Sequence, residues 1–529
     1  MIDQSRSGSD FDALPLEERI SLHLQRIGAI GASADGMGWT RLCFSEQEEE
    51  IHRYAHSVLK ELGCVITTDA FRNLYGTLPS ESEDDEKPVM LGTHLDTVKN
   101  GGNYDGVVGF IVAVESVRDA KLKSAIIPPI KIAIFRAEES TLFKKACLGS
   151  RAAFSGLTEA ELGLTFETLT GATISLFDSV AAAGGSPEQL GRPTLDATRY
   201  LGYLETHIEQ ARVLEQHIGL DRAEDREQPD AFIGIVTSIR APYRCEWEIT
   251  GEKTVSLFAK CVLAVEAAAT LVSDCSLDAV ATIGRVDGFI GGADKINAIP
   301  GDVTVPILLE PSAIQWKDAT RICQRRGCTI EIVKRNSALH IRFLGTTDHS
   351  GGTPMGLTNR RDALVAACEV ISALDSTLIA PCERLTFYTD VRSNSVLTRD
   401  LVGALIDQTF ESFGIFEKNR HGAQSVAVEK VRRTERSAPV AELSPQLQRI
   451  IAAAATEVGI DRIYLPSGAG HDAMMAYNAQ VPTAMMFIPS IAGLSHTPSE
   501  RSRVKDIAAA TRVQTRVLEM LGAGPIVES

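Results

Sequence analysis

The sequence predicts an α/β protein: a mixed, mainly parallel sheet with flanking helices, interrupted by a smaller α+β insertion. Two observations carry this. Short apolar runs bounded by turn residues, at Pro88–Leu91, Ile130–Phe135 and Ala484–Pro489, alternate with helical patterns, as buried parallel strands do. Between 241 and 434 the chain runs strand, helix, strand, strand, helix, strand, and a second series of strands and helices then begins at Leu339.

In chain order, Leu16, Ile20, Leu24 and Ile27 recur at helical spacing, so Leu16–Ile27 is expected as a helix stopped by Gly28. Ser45–Leu62 reads as a second helix, with acids in its first turn, where the helix dipole favours them. Val65–Thr67 and Leu74–Thr77 read as strands, and Ser80–Lys87 (SESEDDEK) as a solvated turn. The strand at Pro88–Leu91 then opens the stretch GTHLDTVKNGGNYDG, which gathers His94, Asp96 and Asp105. Positions i and i+2 of a strand share a face, so Asp96 can lie beside His94 and orient its imidazole. The C-terminal edge of such a sheet is where open α/β folds place their sites. Asp105 closes a glycine-bearing loop before the helix Val107–Ser116, and a carboxylate there can bridge two cations. A lone His-x-Asp is also a common structural pair, so the residues downstream decide.

Ile130–Phe135 ends in Arg136-Ala137-Glu138-Glu139. Adjacent acids on an extended chain point to opposite faces. They form either a solvated turn, or one metal ligand and one general base. Leu164–Arg192 is expected as helix plus loop. In ETHIEQ, His207 and Gln210 are three apart and would share a face of a helix. Ile233–Ile239 reads as a strand leading into the insertion.

The insertion reads as Cys245–Thr250 (strand), Phe258–Leu271 (helix), Ala279–Val286 (strand), the string NAIPG at Asn297, Val303–Leu309 (strand), Ile314–Arg325 (helix) and Thr329–Lys334 (strand). The second series is Leu339–Leu344 (strand), TTDHSGGTPM with His349, Asp362–Leu374 (helix), Leu385–Val391 (strand) running into DVRS with Arg392, Leu401–Phe410 (helix) and Ser425–Val431 (strand). Either an internal repeat with a period of roughly 95 residues or an unrelated insertion at 251–337 gives this order; NAIPG and the matching elements favour the repeat. Leu447–Val458 is a helix, SGAGHDAM carries Gly470, His471 and Asp472 in a turn, and the last apolar strand runs into GLSHTPSE with His496.

Composition bounds the function. A chain of 529 residues can form two or three domains. A net charge of −16 argues against nucleic acid or an anionic membrane as partner, and solubility accounts for it. Ten cysteines without a C-x-x-C pair suit reduced thiols in a cytoplasmic protein. The N-terminal stretch has acids and no apolar core, unlike a signal peptide, and no run is expected to reach the ~18 to 20 apolar residues of a membrane helix.

The strings GTHLDTV, GGNYDG, RAEES…LGSRAAFSG, ETHIEQ…LE, GIVTSIRAPYRCEWEITGE, DHSGGTPM…RRDAL, SGAGHDAM and PSIAGLSHTPSE span most of the chain. In this order they resemble the amidohydrolase branch of the two-metal peptidase superfamily that includes carboxypeptidase G. That branch holds N-carbamoyl-L-amino-acid hydrolases, allantoate amidohydrolase and β-ureidopropionase. The resemblance implies an exopeptidase-like catalytic domain at 1–240 and 435–529. It also implies a ferredoxin-like lid, here read as duplicated, with units at 241–336 and 337–434.

The resemblance further implies two divalent ions (zinc, manganese, cobalt or nickel) bridged by Asp105. His94 and His207 would complete one site, and Glu139 and His496 the other. Glu138 would be the general base and Asp96 the residue orienting His94. His207 stands where the peptidase branches carry an acid, which favours the ureido branch. His349 is implied as an oxyanion donor. Gln210, Asn297, Arg392, Gly470 and His471 are implied as substrate contacts, and the guanidinium of Arg392 suits a carboxylate. Three departures stand out: Ala211-Arg212 replaces a Gly-Pro, the first lid unit lacks the histidine string, and LLEPS replaces its Asp-x-Arg. The implied reaction is hydrolysis of a C–N bond in a small carboxylate-bearing ureido or amide substrate. The rivals are a peptidase or aminoacylase cleaving a simple amide, and a non-catalytic metal-binding protein, which should have lost ligands or base. If the second lid unit replaces a partner's lid, the protein is expected to work as a monomer.

Overall fold

The computed structural model describes residues 11–524 apart from 35, 37, 79–85, 169–171, 218–230, 251–253, 275–279, 288–297, 300–301, 307–315, 336–337, 346–347, 350–354, 356–359, 374–383, 394, 422–426 and 436–439. The chain forms two compact units, Met1–Ile239 with Ala441–Ser529, and Arg240–Val440.

The first unit opens with α1 (Leu16–Gly28), which buries Ile20 and Ile27 as their spacing predicts. Helix α2 (Glu46–Glu61) starts at Ser45, whose hydroxyl accepts the Glu48 amide N–H and caps the helix. Strands β1 (Val65–Thr68), β2 (Leu74–Leu78) and β3 (Val89–His94) follow. Next come α3 (Val107–Leu122), β4 (Ile130–Phe135), α4 (Leu148–Phe154), β5 (Gly202–Ile208) and β6 (Phe232–Ile239). Every residue of β3 and β5 is buried. A strand buried on both faces shows no alternation in sequence, and β5 also carries the polar residues Glu205, Thr206 and His207. This explains a correction: His207 lies on a strand, and Gln210 follows it at a φ of 58°, so the two share no helical face.

The second unit contains β7 (Ala241–Thr250), α5 (Thr254–Asp274), β8 (Val280–Asp287), β9 (Ala298–Ile299), β10 (Asp302–Pro306), α6 (Trp316–Arg325) and β11 (Thr329–Arg335). It continues through β12 (Ala338–Leu344), β13 (Asp348–His349), α7 (Ala363–Ala373), β14 (Arg384–Ser393), α8 (Val396–His421) and β15 (Ala427–Glu435). Its four-stranded sheet has the order β8–β14–β7–β15 and is antiparallel throughout. The connections β7–α5–β8 and β14–α8–β15 are those of a ferredoxin-like sheet.

One half of that sheet comes from each segment expected as a separate lid. The expected boundary at 336/337 falls between β11 and β12, which pair from Arg335 and Ala338 onward. A single apolar core joins the segments, from Trp247 and Phe258 to Phe343, Leu364, Phe387 and Phe410. The two expected lid units therefore fold as one body. Element order along a chain does not encode which strands pair, and burial across the two segments decides it here.

Helix α5 corrects a second expectation. Its window Thr254–Leu271 is long and apolar enough to cross a membrane, with a mean hydropathy of 1.6. Half of that window is buried, and Phe258, Cys261 and Val262 belong to the unit's core, which accounts for the composition. Eight cysteines among the described residues are free thiols; Cys275 and Cys382 lie outside them.

Back in the first unit, β16 (Ala441–Glu442), α9 (Pro445–Glu457), β17 (Asp461–Ser467), α10 (Ala473–Asn478), β18 (Thr483–Ile488) and α11 (Val504–Gly522) complete the chain. The sheet order is β1–β2–β4–β3–β5–β18–β6–β16, with β17 beside β6. The central pairs β4/β3, β3/β5 and β5/β18 are parallel. Their common C-terminal edge carries the site.

Candidate metal centre

Four neighbouring strands deliver the expected ligands to one edge. Glu139 follows β4, His94 ends β3, His207 lies on β5, and His496 follows β18. Asp105 sits between β3 and α3. Gly106 follows it at a φ of 68°, and a Cβ there would stand 2.5 Å from the His94 carbonyl oxygen, so only glycine lets the chain turn this close. Two ligand groups result, His94–Asp105–His207 and Asp105–Glu139–His496, each with its donor atoms within 4.8 Å of one another. All five residues are buried, and Asp105 is common to both groups.

The donor set fits two cations. His207 Nε2 lies 3.0 Å and His94 Nε2 3.3 Å from Asp105 Oδ1. His496 Nε2 lies 3.1 Å from Glu139 Oε1 and 3.5 Å from Asp105 Oδ2. His207 Nδ1 donates to the Ile208 carbonyl at 2.8 Å, and His94 Nδ1 contacts the Asp96 carbonyl at 3.2 Å. Each ring is thus held through Nδ1 with Nε2 facing the cluster, the usual arrangement of a metal-ligating histidine. His94 Nε2 is buried without a well-formed hydrogen bond. Imidazole and carboxylate donors without thiolate suit zinc, manganese, cobalt or nickel.

The electrostatics agree. Burial opposes the charge of Asp105, but His207, His496 and His94 hold its carboxyl well below the usual range. Burial works against protonation of His496, yet Glu139 and Asp105 push it up to about 10. Protons and cations would compete for these donors, so metal binding would release protons.

The Glu138-Glu139 pair does not sit on an extended chain. Strand β4 ends at Phe135, and Ala137 turns the backbone at a φ of 54°. Glu139 then reaches His496, whereas Glu138 Oε1 accepts from the Cys147 thiol at 3.4 Å. Asp96 fixes this turn, since its Oδ1 accepts the Glu138 N–H at 3.2 Å and its Oδ2 the Glu139 N–H at 3.0 Å. Asp96 therefore faces both His94 and the acid pair. Burial pushes the Glu138 carboxyl well above the usual range; His94 works against this, while Glu139, Asp472 and Asp96 add to it. Cations at the two groups would lower it again.

The turn is also pinned from behind by Gly149, whose N–H donates to the Arg136 carbonyl at 3.0 Å. A Cβ at 149 would stand 2.3 Å from that oxygen. Gly149→Ala is expected to cost about 1 to 3 kcal/mol, the usual penalty of overpacking. Thermal unfolding checks this, and an unchanged Tm would mean that the turn yields freely.

Residues 90–520 match peptidase family M20/M25/M40. The chain belongs to this family. It is 27% identical to an N-carbamoyl-L-amino acid amidohydrolase of Geobacillus stearothermophilus, over 96% of this chain and 99% of that protein. A ureidoglycolate hydrolase of Oryza sativa subsp. japonica is 31% identical over 58% of this chain and 62% of its own length. Among solved structures, AtUAH in complex with glyoxylate superposes with a TM-score of 0.67 at 22% identity, covering 96% of this chain and 98% of that one. An amidase of the hydantoinase/carbamoylase family from Burkholderia vietnamiensis gives 0.66 at 19% identity, over 96% and 98%. These superpositions bear on the fold.

The other expected site residues of this family member are placed as follows. Gln210 packs into the metal centre itself. Its Nε2 donates toward Asp105 Oδ2 at 2.5 Å and lies 3.0 Å from Ser495 Oγ, while its buried Oε1 finds no partner among the described residues. The His471 ring lies 4.6 Å from the His207 ring, and its Nε2 is 2.9 Å from Ser467 Oγ. Gly470 stands beside it in the turn before α10. Among the described residues, His471 and Asp472 form no further metal-holding group. In the second unit, Arg392 is buried with Nη2 2.8 Å from Asp390 Oδ2, and His349 on β13 pairs with Ala298 on β9. Asn297 lies outside the described residues.

Two buried acids escaped the sequence reading. Glu205 Oε2 accepts from the Tyr203 hydroxyl and the Ala473 N–H, both at 2.9 Å, which ties β5 to the start of α10. Its spacing of two before His207 on one strand was the available signal. The other is Glu500, four residues after His496 in GLSHTPSE.

Proposed function

We propose that this chain is an amidohydrolase that splits the C–N bond of small carboxylate-bearing ureido or amide compounds, N-carbamoyl amino acids or allantoate-like ureido acids among them. The observation that carries this reading is Asp105 shared between two ligand groups, with Glu138 beside them and bound to neither. The names of the relatives support the ureido and amide substrate class.

His94, Asp105 and His207 would hold one divalent ion, and Asp105, Glu139 and His496 the other. Such a pair supplies Lewis acidity, polarising the scissile carbonyl and lowering the pKa of a water. Glu138 takes the water's proton at its carboxylate and returns it to the leaving nitrogen. Asp96 keeps the Glu138 backbone in place, and the Cys147 thiol occupies Oε1. The unpartnered Oε1 of Gln210 is available as an acceptor for a substrate N–H. The parts assigned to His349, as oxyanion donor, and to Arg392, as carboxylate contact, rest on their motif strings.

The test is direct. Protein reconstituted with Zn²⁺, Mn²⁺, Co²⁺ or Ni²⁺ is expected to release ammonia from N-carbamoyl amino acids faster than it releases amine from dipeptides. Dipeptide cleavage with no ammonia release would replace this reading with the peptidase one.

A further inference from the structure

Glu500 is a buried acid to which the proposed reaction gives no part. Its Oε1 accepts the backbone N–H groups of Tyr104, at 2.8 Å, and Asp105, at 3.0 Å. Its Oε2 accepts the His496 N–H at 3.2 Å and lies 3.3 Å from Ser495 Oγ, which also reaches Asp105 Oδ2 at 3.0 Å. Two loops far apart in sequence, each carrying a candidate ligand, thus hang on one carboxylate. The fold makes room for it: a Cβ at Gly102 would stand 2.1 Å from Glu500 Oε1. Behind it the buried Arg41 supplies positive charge toward Glu500, Asp96 and Asp105. Arg41 is itself held by the carbonyl of Leu95, at 3.1 Å, and the side chain of Asn103, at 3.0 Å.

We infer that Glu500 is a positioning residue for the metal centre, fixing the loops of Asp105 and His496 relative to each other. This rests on the reading of Asp105, Glu139 and His496 as metal ligands. The effect is unequal by construction. Asp105 and His496 both sit on backbone that Glu500 holds, and both serve the group with Glu139. The other group depends on Glu500 through Asp105 alone, because His94 and His207 are placed by the ladders of β3 with β4 and of β5 with β18. An ionised carboxylate is needed because it only accepts, whereas a glutamine turns an NH₂ group toward N–H donors whichever way it flips.

The test uses Glu500→Gln, stripped of metal and titrated with Zn²⁺ alone, read by calorimetry and elemental analysis. One equivalent is expected to weaken the less, since only Asp105 links its ligands to Glu500. The second should weaken by at least about tenfold, within the 10–100-fold range for loss of an outer-shell partner. The Tm of the chelated variant should stay close to that of chelated wild type. Two equivalents at wild-type affinity would overturn the inference, as would equal weakening of both ions with a lower Tm. If Glu500→Gln does not fold, Glu500→Asp, which keeps the charge but draws the carboxylate back from the two loops, is titrated instead, and unchanged affinity for both ions overturns the inference equally. His496→Ala is run in parallel. Two ions bound there at wild-type affinity would bring down the ligand assignment beneath the inference, a result distinct from failure of Glu500 alone.

Discussion

Glu138→Gln is expected to lower kcat by roughly 10²- to 10⁴-fold, the range general acid–base catalysis contributes, while both ions stay bound. The substitution keeps size and shape. It also keeps the backbone N–H that donates to Asp96 Oδ1, so the turn and Glu139 should not move. What it removes is the site that takes and returns the proton. Ammonia release from an N-carbamoyl amino acid gives kcat, and elemental analysis gives the metal content. Loss of metal together with activity would mean that Glu138 and Glu139 exchange roles. Turnover within a few-fold of wild type would take Glu138 out of the reaction.

The readable part of this protein is its buried parallel strands. Strands β3, β4 and β18 are built on short, mostly apolar runs, and histidines or acids at or beyond the end of such a run stand at the sheet edge where sites form. His94, Asp105, Glu139 and His496 lie at or beyond the ends of those strands, and the matching motifs supplied their roles and added His207. Strand β5 was hidden because Glu205, Thr206 and His207 break its apolar run while remaining buried. They bond to Tyr203, Gln514 and the Ile208 carbonyl, partners that local spacing does not reveal. Glu500 was hidden for a related reason, since most of its donors are backbone N–H groups, which every residue has. The second unit was legible as elements and illegible as a sheet. Its strands were read nearly in place, but pairing β7 with β14 crosses most of the unit, and nothing in either strand alone specifies the other.

Asp105→Asn should have the broadest effect on the metal centre. Asp105 lies within 3.5 Å of the Nε2 atoms of His94, His207 and His496, and it alone belongs to both ligand groups. Replacing it with the neutral amide removes negative charge from both positions at once and puts an NH₂ group, which cannot ligate, at one of the two oxygens. Both ions are therefore expected to weaken by more than the roughly 10–100-fold that loss of an outer-shell partner costs. His207→Ala is the contrast, because His207 belongs to one group only. It should empty one position and leave the other near wild-type affinity. Titration of the stripped variants with Zn²⁺, followed by elemental analysis after gel filtration, separates the two patterns. Two ions retained by His207→Ala would remove His207 from the ligand set. A single ion lost from Asp105→Asn, with the other unaffected, would show that Asp105 serves one position and that the two ligand groups are not joined through it.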